Sequence, residues 1–295
     1  MSETGDASNR ERSSFSSKRA VAVHIENPDL PLDRASVSYH RSLAESVQPV
    51  EANCAYTVAH TLPGLRVIRF DRHLKRLFES ARRLGYTPDF SEDSVRHIIG
   101  NTLERHGGER CKFRITLLRE GGLVIALEPY AGLPPEIRSR GIDCALAPHS
   151  SRGDPDTKTT SWMTARGTLS SRDVYEVLLC DRNGYVLEGS SSNVFFVTGD
   201  SRSPVLRTAE EGILKGITRS IILELVEPET PVERSALHET DLATVREGFI
   251  CSSTRGVVPI RRIDDRSYTA PGALTSRIST LYNEWVEENA QPLLP

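Results

Sequence analysis

The sequence predicts an α/β protein with an α+β N-terminal domain and a β-rich C-terminal domain that also carries helices. The length of 295 residues is more than one domain usually needs. Strand-like, helix-like and again strand-like segments follow one another to about residue 147, and a run of strand-like segments begins at residue 174. Residues 148–160 are polar and rich in turn formers. We therefore predict domains at 20–147 and 161–295, with 148–160 as the connecting loop.

The N-terminal domain is predicted from strands that flank two amphipathic helices. Its strands are expected at 20–26, 54–60, 65–70, 112–118 and 123–127. Asp71 is the predicted cap of the first helix, which stops at Gly85 because glycine suits a helix C-terminus. Ser91 is the predicted cap of the second helix, which stops at Gly107. A polar, Pro-containing stretch separates the first two strands.

The C-terminal domain is predicted to contain a three-stranded meander and several helices. The meander strands are 174–180, 184–188 and 193–198, and Asn183-Gly184 favours a tight hairpin between the first two. The other predicted elements are a short helix at 161–169, a helix at 218–226, a strand at 248–252 and a closing helix from Leu274 to Trp285.

Composition and charge argue against several classes of protein. The net charge of −3, without long runs of one sign, gives no indication of binding to nucleic acid or to a membrane surface. No apolar run approaches the roughly 18 residues of a membrane span. The Rossmann and Walker glycine motifs are both missing, so a nucleotide-binding fold has no support.

The cysteines and the first residues point to a cytoplasmic protein without a metal site. The five cysteines have neither CxxC pairs nor metal-ligand spacing, so we expect reduced, mostly buried thiols and no metal. Residues 1–19 are rich in Ser and charge and have no apolar core. We interpret them as a disordered leader rather than a secretory signal.

Lysine is scarce, which narrows any amine chemistry to five positions. Of the 37 basic residues only Lys18, Lys75, Lys112, Lys158 and Lys215 are lysine, and unlike arginine a lysine can lose its proton and form an imine. The first lies in the leader, the second on a helix surface and the third at a strand start. The remaining two lie in loops, one in the connecting loop and one in a glycine-bracketed loop.

Two loops and one arginine are candidate phosphate ligands. Residues 212–220 run from a Gly-bracketed loop into a helix, whose free N–H groups and Thr218 hydroxyl suit a phosphate. A simple turn with a Thr cap explains this loop equally well. Residues 251–256 place three hydroxyls beside a glycine, which suits an anion, although a polar loop is the commoner explanation. Arg76 is a bidentate phosphate donor in principle, whereas a surface arginine is more common.

A carboxylate completes this set of groups. Glu188 ends an apolar strand before a bend of small residues and Asn193. If it were buried, such a carboxylate would be able to keep the nitrogen of a bound ring protonated. The alternative is a strand-end Glu that faces water. Two phosphate loops, an arginine, a carboxylate and a loop lysine are together what is needed to hold pyridoxal 5′-phosphate, PLP.

Five stretches of the chain resemble the class IV (fold-type IV) PLP-dependent aminotransferases. This family includes branched-chain and D-amino-acid aminotransferases, (R)-amine transaminases and aminodeoxychorismate lyases. The stretches occur in the family's order and spacing across about residues 40–270, and the EGSSSN and ILKGITR runs are the most specific. They are FDRHLKRLFESARRLG (70–85), DTKTTSW (156–162), EVLLCDRNGYVLEGSSSNVFFV (176–197), GILKGITR (212–219) and FICSSTRGVVPI (249–260).

The resemblance implies a role for each matching residue. Lys158 forms the internal aldimine and transfers the proton, Glu188 pairs with the pyridine nitrogen, and Asn193 supports the bend. Leu214 packs on the ring, and Tyr56 lines the site. The phosphate is held by Arg76, Gly216, Ile217, Thr218, Ser252 and Ser253. The residue that binds the substrate carboxylate remains open among Arg119, Arg114 and Thr254. The Arg-x-His pair of the D-amino-acid enzymes and the Arg-Pro pattern of many branched-chain enzymes are both missing.

The implied activity is transfer of an amino group from an amino acid to a 2-oxo acid, as part of amino acid metabolism. The resemblance further implies a C-terminal pseudo-barrel with helices, PLP in the cleft between two domains, and a homodimer whose second subunit completes the site. Three alternatives stay open: a PLP-dependent lyase of the aminodeoxychorismate type, a PLP-fold protein that has lost catalysis, and a phosphate- or nucleotide-binding protein without PLP.

Overall fold

The computed structural model describes residues 20–28, 31–47, 53–107, 110–169 and 173–294, so the predicted leader lies outside the described residues. The strands are β1 (Ala20–Ile25), β2 (Ser36–His40), β3 (Ala55–His60), β4 (Arg66–Val67), β5 (Cys111–Leu117), β6 (Leu123–Pro129), β7 (Ile142–Ala147), β8 (Glu176–Cys180), β9 (Tyr185–Gly189), β10 (Ser192–Gly199), β11 (Pro204–Arg207), β12 (Val232–Glu233), β13 (Leu237–His238), β14 (Glu247–Ser252), β15 (Gly256–Ile263), β16 (Arg266–Ser267) and β17 (Gln291–Pro292). The α-helices are α1 (Phe70–Arg83), α2 (Glu92–His106), α3 (Pro135–Arg140), α4 (Thr160–Leu169), α5 (Ile217–Val226) and α6 (Ala273–Asn289). Short 3-10 helices lie at Leu32–Arg34, Glu45–Val47 and Glu239–Thr244.

The described residues divide into two compact units. Unit 1 contains the residues up to 131 together with 158–161 and 290–294, and unit 2 contains 132–157 and 162–289. The domain limits that we predict from the sequence, 20–147 and 161–295, differ from this division because β7 pairs in parallel with both β8 and β15. The strand therefore belongs with the second unit.

Unit 1 is an antiparallel sheet covered on one face by α1 and α2. The strand order is β2-β1-β6-β5-β3. The strand alternation of two and the helix spacing of three to four place apolar residues of both kinds of element in one core. That core includes Val23, Ile115, Leu74, Leu77 and Ile99. The Ser91 side chain caps α2 in a capping box with Ser94, and Gly85 follows α1 with a φ of 80°, as predicted.

Three expectations for unit 1 are wrong in detail. Residues 65–70 do not form a strand beside β3, because only β4 is extended and it pairs with β17. Asp71 does not cap α1. The cap position is Arg69, in the left-handed region with a φ of 46°, and Asp71 lies in the first turn, where a carboxylate favours the helix dipole. The polar stretch after β1 contains the exposed edge strand β2, which has no buried face to reveal it.

Unit 2 is built around a ring of six strands. The order β10-β14-β15-β7-β8-β9 closes because β9 also pairs with β10. The predicted meander is confirmed as β8, β9 and β10, which pair antiparallel in sequence. Its first turn ends at Gly184 with a φ of 82°, a conformation that favours glycine. The predicted helices are found as α4, α5 and α6, and α5 and α6 pack against β14 and β15.

Every helix in the described ranges is too short or too polar to cross a lipid bilayer. Across those same ranges no three His, Cys, Asp or Glu side chains form a group that is able to hold a metal ion.

Candidate functional site

In unit 1, Lys158 lies in a short segment that pairs with the free edge of β3. The Tyr56 N–H donates to the Lys158 carbonyl at 3.0 Å, and the Thr160 N–H donates to the Cys54 carbonyl at 2.8 Å. The Lys158 N–H donates to Ser80 Oγ on α1 at 3.2 Å. Its Nζ lies 4.9 Å from the centroid of the buried Tyr56 ring. The backbone on both sides of Lys158 is thus fixed, and its amine lies over an aromatic face.

The polar face of α1 lies beside this segment. His73 is buried and hydrogen-bonded through Nδ1 to Thr57 Oγ1 at 2.8 Å. Burial lowers the pKa of His73 well below its ordinary value of 6.5, and the nearby positive charges of Arg76 and Lys158 lower it further. His73 is therefore neutral at pH 7. The structure thus brings together Lys158, Tyr56 and Arg76 in unit 1.

The two arginines considered for the substrate carboxylate have other contacts in unit 1. Arg114 is buried, and its Nη1 and Nη2 donate to the Leu43 carbonyl at 2.8 Å and to Ser46 Oγ at 2.9 Å. Arg119 is exposed, donates to the Leu84 carbonyl at 2.9 Å and lies over the Tyr86 ring at 5.3 Å. Both guanidinium groups hold neighbouring segments of unit 1.

In unit 2, Glu188 is a buried carboxylate surrounded by donors. Its Oε1 accepts from Arg152 Nε at 2.6 Å, and the two side chains are 2% and 4% exposed. Its Oε2 accepts from the Leu214 N–H at 3.2 Å and from Asn193 Nδ2 at 3.3 Å. The Arg152 guanidinium lies 4.8 Å from the Trp162 ring centroid. A buried carboxylate needs such a cation and donors to stay ionised.

Asn193 joins Glu188 to the glycine-bracketed loop. Besides its bond to Glu188, Asn193 Nδ2 donates to the Leu214 carbonyl at 2.8 Å. A Cβ added at Gly216 would lie 2.1 Å from Asn193 Oδ1, so this close approach requires glycine. The loop leads directly into α5, whose cap residue is Gly216 without a side-chain cap bond. The N–H groups of the first turn, at Ile217 and Thr218, are therefore not satisfied by a capping side chain.

Ser252 is the last residue of β14, and Ser253 and Thr254 begin the turn to β15; the three residues, here called the 252–254 turn, are each half-buried. Arg255 ends this turn. It donates through Nε to Ser252 Oγ at 3.0 Å and through Nη1 to the carboxylate of Glu176 at 3.2 Å. The structure thus gathers Glu188, Asn193, Leu214 and Gly216 in unit 2, while the 252–254 turn is held by Arg255.

The other lysines and the cysteines have environments that do not suit nucleophilic chemistry. Lys215 is 60% exposed and forms an ion pair with Glu210 at 2.9 Å. Lys75 is exposed on α1, and Lys112 pairs with Glu128 at 3.5 Å. Burial raises the pKa of the Cys111, Cys180 and Cys251 thiols to about 12, so these cysteines are protonated at pH 7.

Sequence reasoning missed Arg152, Glu176 and Arg255. Arg152 and Arg255 are two of 32 arginines, and a local sequence pattern does not reveal which guanidinium reaches a buried carboxylate far along the chain. Glu176 begins a strand that is otherwise apolar, which was a usable signal. A charged residue in a fully buried strand needs a partner, and the three serines of 190–192 supply hydroxyls.

Comparison with known proteins identifies the family. Residues 60–263 match the family model described as amino-transferase class IV. A "Probable branched-chain-amino-acid aminotransferase" of Thermotoga maritima is 38% identical over 232 residues, which cover 74% of this chain and 82% of that protein. The D-alanine aminotransferase of Bacillus licheniformis is 26% identical, covering 80% of this chain and 89% of that protein.

Solved structures agree on the fold. A hypothetical aminotransferase from Mycobacterium tuberculosis, solved in a form with α-ketoglutarate and PMP bound, superposes with a TM-score of 0.68 at 19% identity, covering 80% of this chain and 90% of that chain. The chain therefore belongs to the class IV aminotransferase family, and it is a PLP-dependent transaminase.

Proposed function

We propose that this enzyme moves the amino group of a branched-chain amino acid to a 2-oxo acid, with Lys158 as the covalent partner of PLP and the carrier of the proton. The observation that carries the proposal is the buried Glu188 carboxylate, which pairs with Arg152 and accepts hydrogen bonds from Asn193 and the Leu214 N–H. A buried anion of this kind fits a protonated pyridine nitrogen. When bound, PLP supplies the electron sink that stabilises negative charge at the substrate Cα.

The phosphate ligands are proposed on backbone and hydroxyl groups. The uncapped N–H groups at the start of α5, at Ile217 and Thr218, attract an anion together with the helix dipole. The hydroxyls of Ser252 and Ser253 add donors, and Arg76 adds a positive charge. Leu214 is buried between Glu188 and Asn193, and we assign its side chain to packing on the ring.

Lys158 has the surroundings that a proton carrier needs. Hydrogen bonds to Tyr56 and Ser80 fix its main chain, so only the side chain has to move to carry the amine from one position to another. Lys158 is half-buried, and both its amine and the Arg76 guanidinium lie close enough to His73 to lower the pKa of that imidazole. An amine in this position is the group that we assign to take the Cα proton and to return it. Tyr56 limits the movement of Nζ from one side.

The substrate class rests on the relatives. The matches include branched-chain-amino-acid aminotransferases from Thermotoga maritima, Pseudomonas aeruginosa and Escherichia coli as well as a D-alanine aminotransferase. We also propose a homodimer, as implied by the family, and a cytoplasmic location, since five buried thiols suit a reducing compartment. Gel filtration with light scattering tests the dimer, which a monomeric mass would contradict.

The lysine assignment is tested by borohydride reduction and peptide mapping. Reduction is expected to attach the cofactor irreversibly to Lys158. Lys158→Ala should abolish transamination, whereas the matched variant Lys215→Ala should keep it, because Lys215 is exposed and paired with Glu210. Label on Lys215, or a fully active Lys158→Ala, would overturn the assignment.

The substrate proposal is tested by a screen of amino donors. Both enantiomers of valine, leucine, isoleucine, alanine and glutamate are paired with 2-oxo acids, and product formation is followed. Branched-chain donors with an obligatory 2-oxo acid acceptor are expected. Faster turnover of D-alanine than of any branched-chain donor would contradict the substrate class.

A further inference from the structure

A buried polar cluster lies behind the 252–254 turn of unit 2 and is not used by the groups already assigned. At its centre is the Glu176 carboxylate, whose side chain is 2% exposed. It accepts from Ser190 Oγ at 2.6 Å, from Ser191 Oγ at 2.7 Å and from Ser192 Oγ at 3.0 Å. One buried carboxylate thus gathers all three serines of the bend that follows Glu188.

Arg255 connects this cluster to the 252–254 turn. Its Nη1 donates to Glu176 at 3.2 Å, its Nη2 donates to the Ser191 carbonyl at 3.0 Å and to Ser191 Oγ at 2.9 Å, and its Nε donates to Ser252 Oγ at 3.0 Å. All three guanidinium nitrogens are therefore engaged within the protein. Arg255 is not placed to act as a ligand of a small molecule, but it fixes two loops relative to each other.

The charges of the cluster explain why a cation is needed there. Burial alone would raise the pKa of Glu176, but the charge of Arg255 and the three serine hydroxyls outweigh burial and hold the pKa below its ordinary value. Glu176 is therefore an anion. Without Arg255, the cluster would hold an uncompensated negative charge next to the hydroxyls proposed for the phosphate, and an anion there would be repelled.

We propose that Glu176 and Arg255 are positioning residues that hold the 190–192 bend and the 252–254 turn in the arrangement required to bind the cofactor phosphate. This inference rests on the proposed function, which places the phosphate against Ser252 and Ser253. The pair affects the affinity for the cofactor and takes no part in the proton transfer by Lys158.

The test is a titration of apo-protein with PLP, followed by absorbance and by protein fluorescence. Arg255→Gln and Glu176→Gln are each expected to raise the Kd for PLP by about tenfold or more, the equivalent of one charge-assisted hydrogen bond. Arg255→Lys should recover part of that loss, since it restores the charge. The double variant should bind no more weakly than Arg255→Gln, because the two residues act as one unit. The matched control is Arg261→Gln on β15, which breaks an ion pair between an exposed arginine and Asp143 of β7.

Several outcomes separate this inference from the proposed function. If the wild type fails to bind PLP, the proposed function fails first. If the wild type binds PLP and Arg255→Gln binds it equally well, the positioning role is overturned. Thermal unfolding of the apo-proteins distinguishes a general loss of structure from a positioning role. A purely structural role would lower the Tm, and Arg255→Lys would then not recover the affinity for PLP. At saturating PLP, kcat should stay within about threefold of the wild type, and a larger loss would contradict a role limited to affinity.

Discussion

Arg152 and Glu188 form an ion pair that water hardly reaches, since their side chains are 4% and 2% exposed. Within the described part of the chain, Arg152 Nη1 is also buried and has no hydrogen-bond partner. A buried donor without a partner adds to the cost of burying this cation, so the stability of the region depends on the bond between Arg152 and Glu188.

Removing one partner of this ion pair should destabilise the protein more than removing both partners. Arg152→Met leaves the Glu188 carboxylate without a cation and should lower the free energy of unfolding by about 3 kcal/mol. The double variant Arg152→Met/Glu188→Gln removes both charges and should be less destabilised than the single one. Urea unfolding of the apo-proteins measures both. Equal losses in the two variants would show that the pair does not act as a unit.

His73 predicts a pH dependence of stability. Its pKa is lowered in the folded protein by burial and by neighbouring positive charges, so the unfolded state takes up a proton near pH 6.5 while the folded state does not. Stability is therefore full above pH 6.5 and is lost as the pH falls towards the folded pKa.

Proton linkage sets the size of this effect. Between pH 6.5 and the folded pKa of His73, the free energy of unfolding falls by at most about 1.4 kcal/mol for each pH unit. Between about pH 7.5 and about pH 5.5 the wild type should lose about 1 kcal/mol more than His73→Asn, which keeps a polar group for Thr57. His97→Asn, on the exposed side of α2, is the matched control and should follow the wild type. If the free energy of unfolding changed with pH in the same way for the wild type and His73→Asn, the pH dependence would not come from His73.

At the scale of elements, the residues that follow α6 form a tail that packs on α2. β17 pairs with β4, the Leu293 N–H donates to the Leu65 carbonyl at 3.1 Å, and Leu294 lies over Gly100. A Cβ added at Gly100 would lie 2.5 Å from Leu294 Cγ. The glycine in the middle of α2 thus provides the space that the tail occupies.

Gly100→Ala is expected to destabilise the protein in spite of the higher helix propensity of alanine. The overlap with Leu294 should cost about 1 kcal/mol. The matched change Gly167→Ala in α4, where the added Cβ meets nothing within 4 Å, should stabilise by about 0.5 kcal/mol. Thermal unfolding of both variants gives the comparison. A stabilised Gly100→Ala would show that the tail moves aside without loss.

The elements that the sequence predicted well are those with a clear apolar pattern. The helices α1 and α2 show an apolar spacing of about 3.6, and β8, β9 and β10 are short apolar runs bounded by turn residues. β2 was missed because an edge strand with two exposed faces has no such pattern. β4 was predicted too long, over 65–70, because only two of those residues are extended. β11 and β12 were missed because they are short.

The sequence indicated part of the candidate site through its motifs. Glu188, Asn193 and the loop before α5 lie in recognisable runs, but Glu188 and Leu214 are 26 residues apart, and only the resemblance to the family implied that they meet. The partners Arg152, Glu176 and Arg255 come from distant positions. The strands next to them are joined by the parallel pairing of β7 with β8 and with β15 and by the antiparallel pairing of β8 with β9. Long-range pairing is a property of the whole fold and not of a window of residues.

At the scale of the whole molecule, cofactor binding and stability should be linked. A ligand that binds only the folded state stabilises it by RT ln(1 + [L]/Kd), about 2.7 kcal/mol at a concentration of 100 Kd. Saturation of apo-protein with PLP should therefore raise the Tm of the wild type. Glu188→Gln, which removes the charge that we propose to pair with the ring nitrogen, should show a smaller rise. Equal shifts in both proteins would contradict a contribution of Glu188 to cofactor binding.

Unit 1 is assembled from three separate stretches of the chain, which has a consequence for biosynthesis. Its sheet strands β1, β2, β3, β5 and β6 leave the ribosome well before residues 158–161 and long before β17. Until residue 158 has emerged, the outer edge of β3 lacks the partner that covers the Tyr56 N–H in the finished fold. A nascent chain paused in this interval carries an open strand edge, which is a site of misassembly. The stretch that brings Lys158 is also the stretch that closes this edge, so a polypeptide truncated before it should be recognised by chaperones and lost to aggregation.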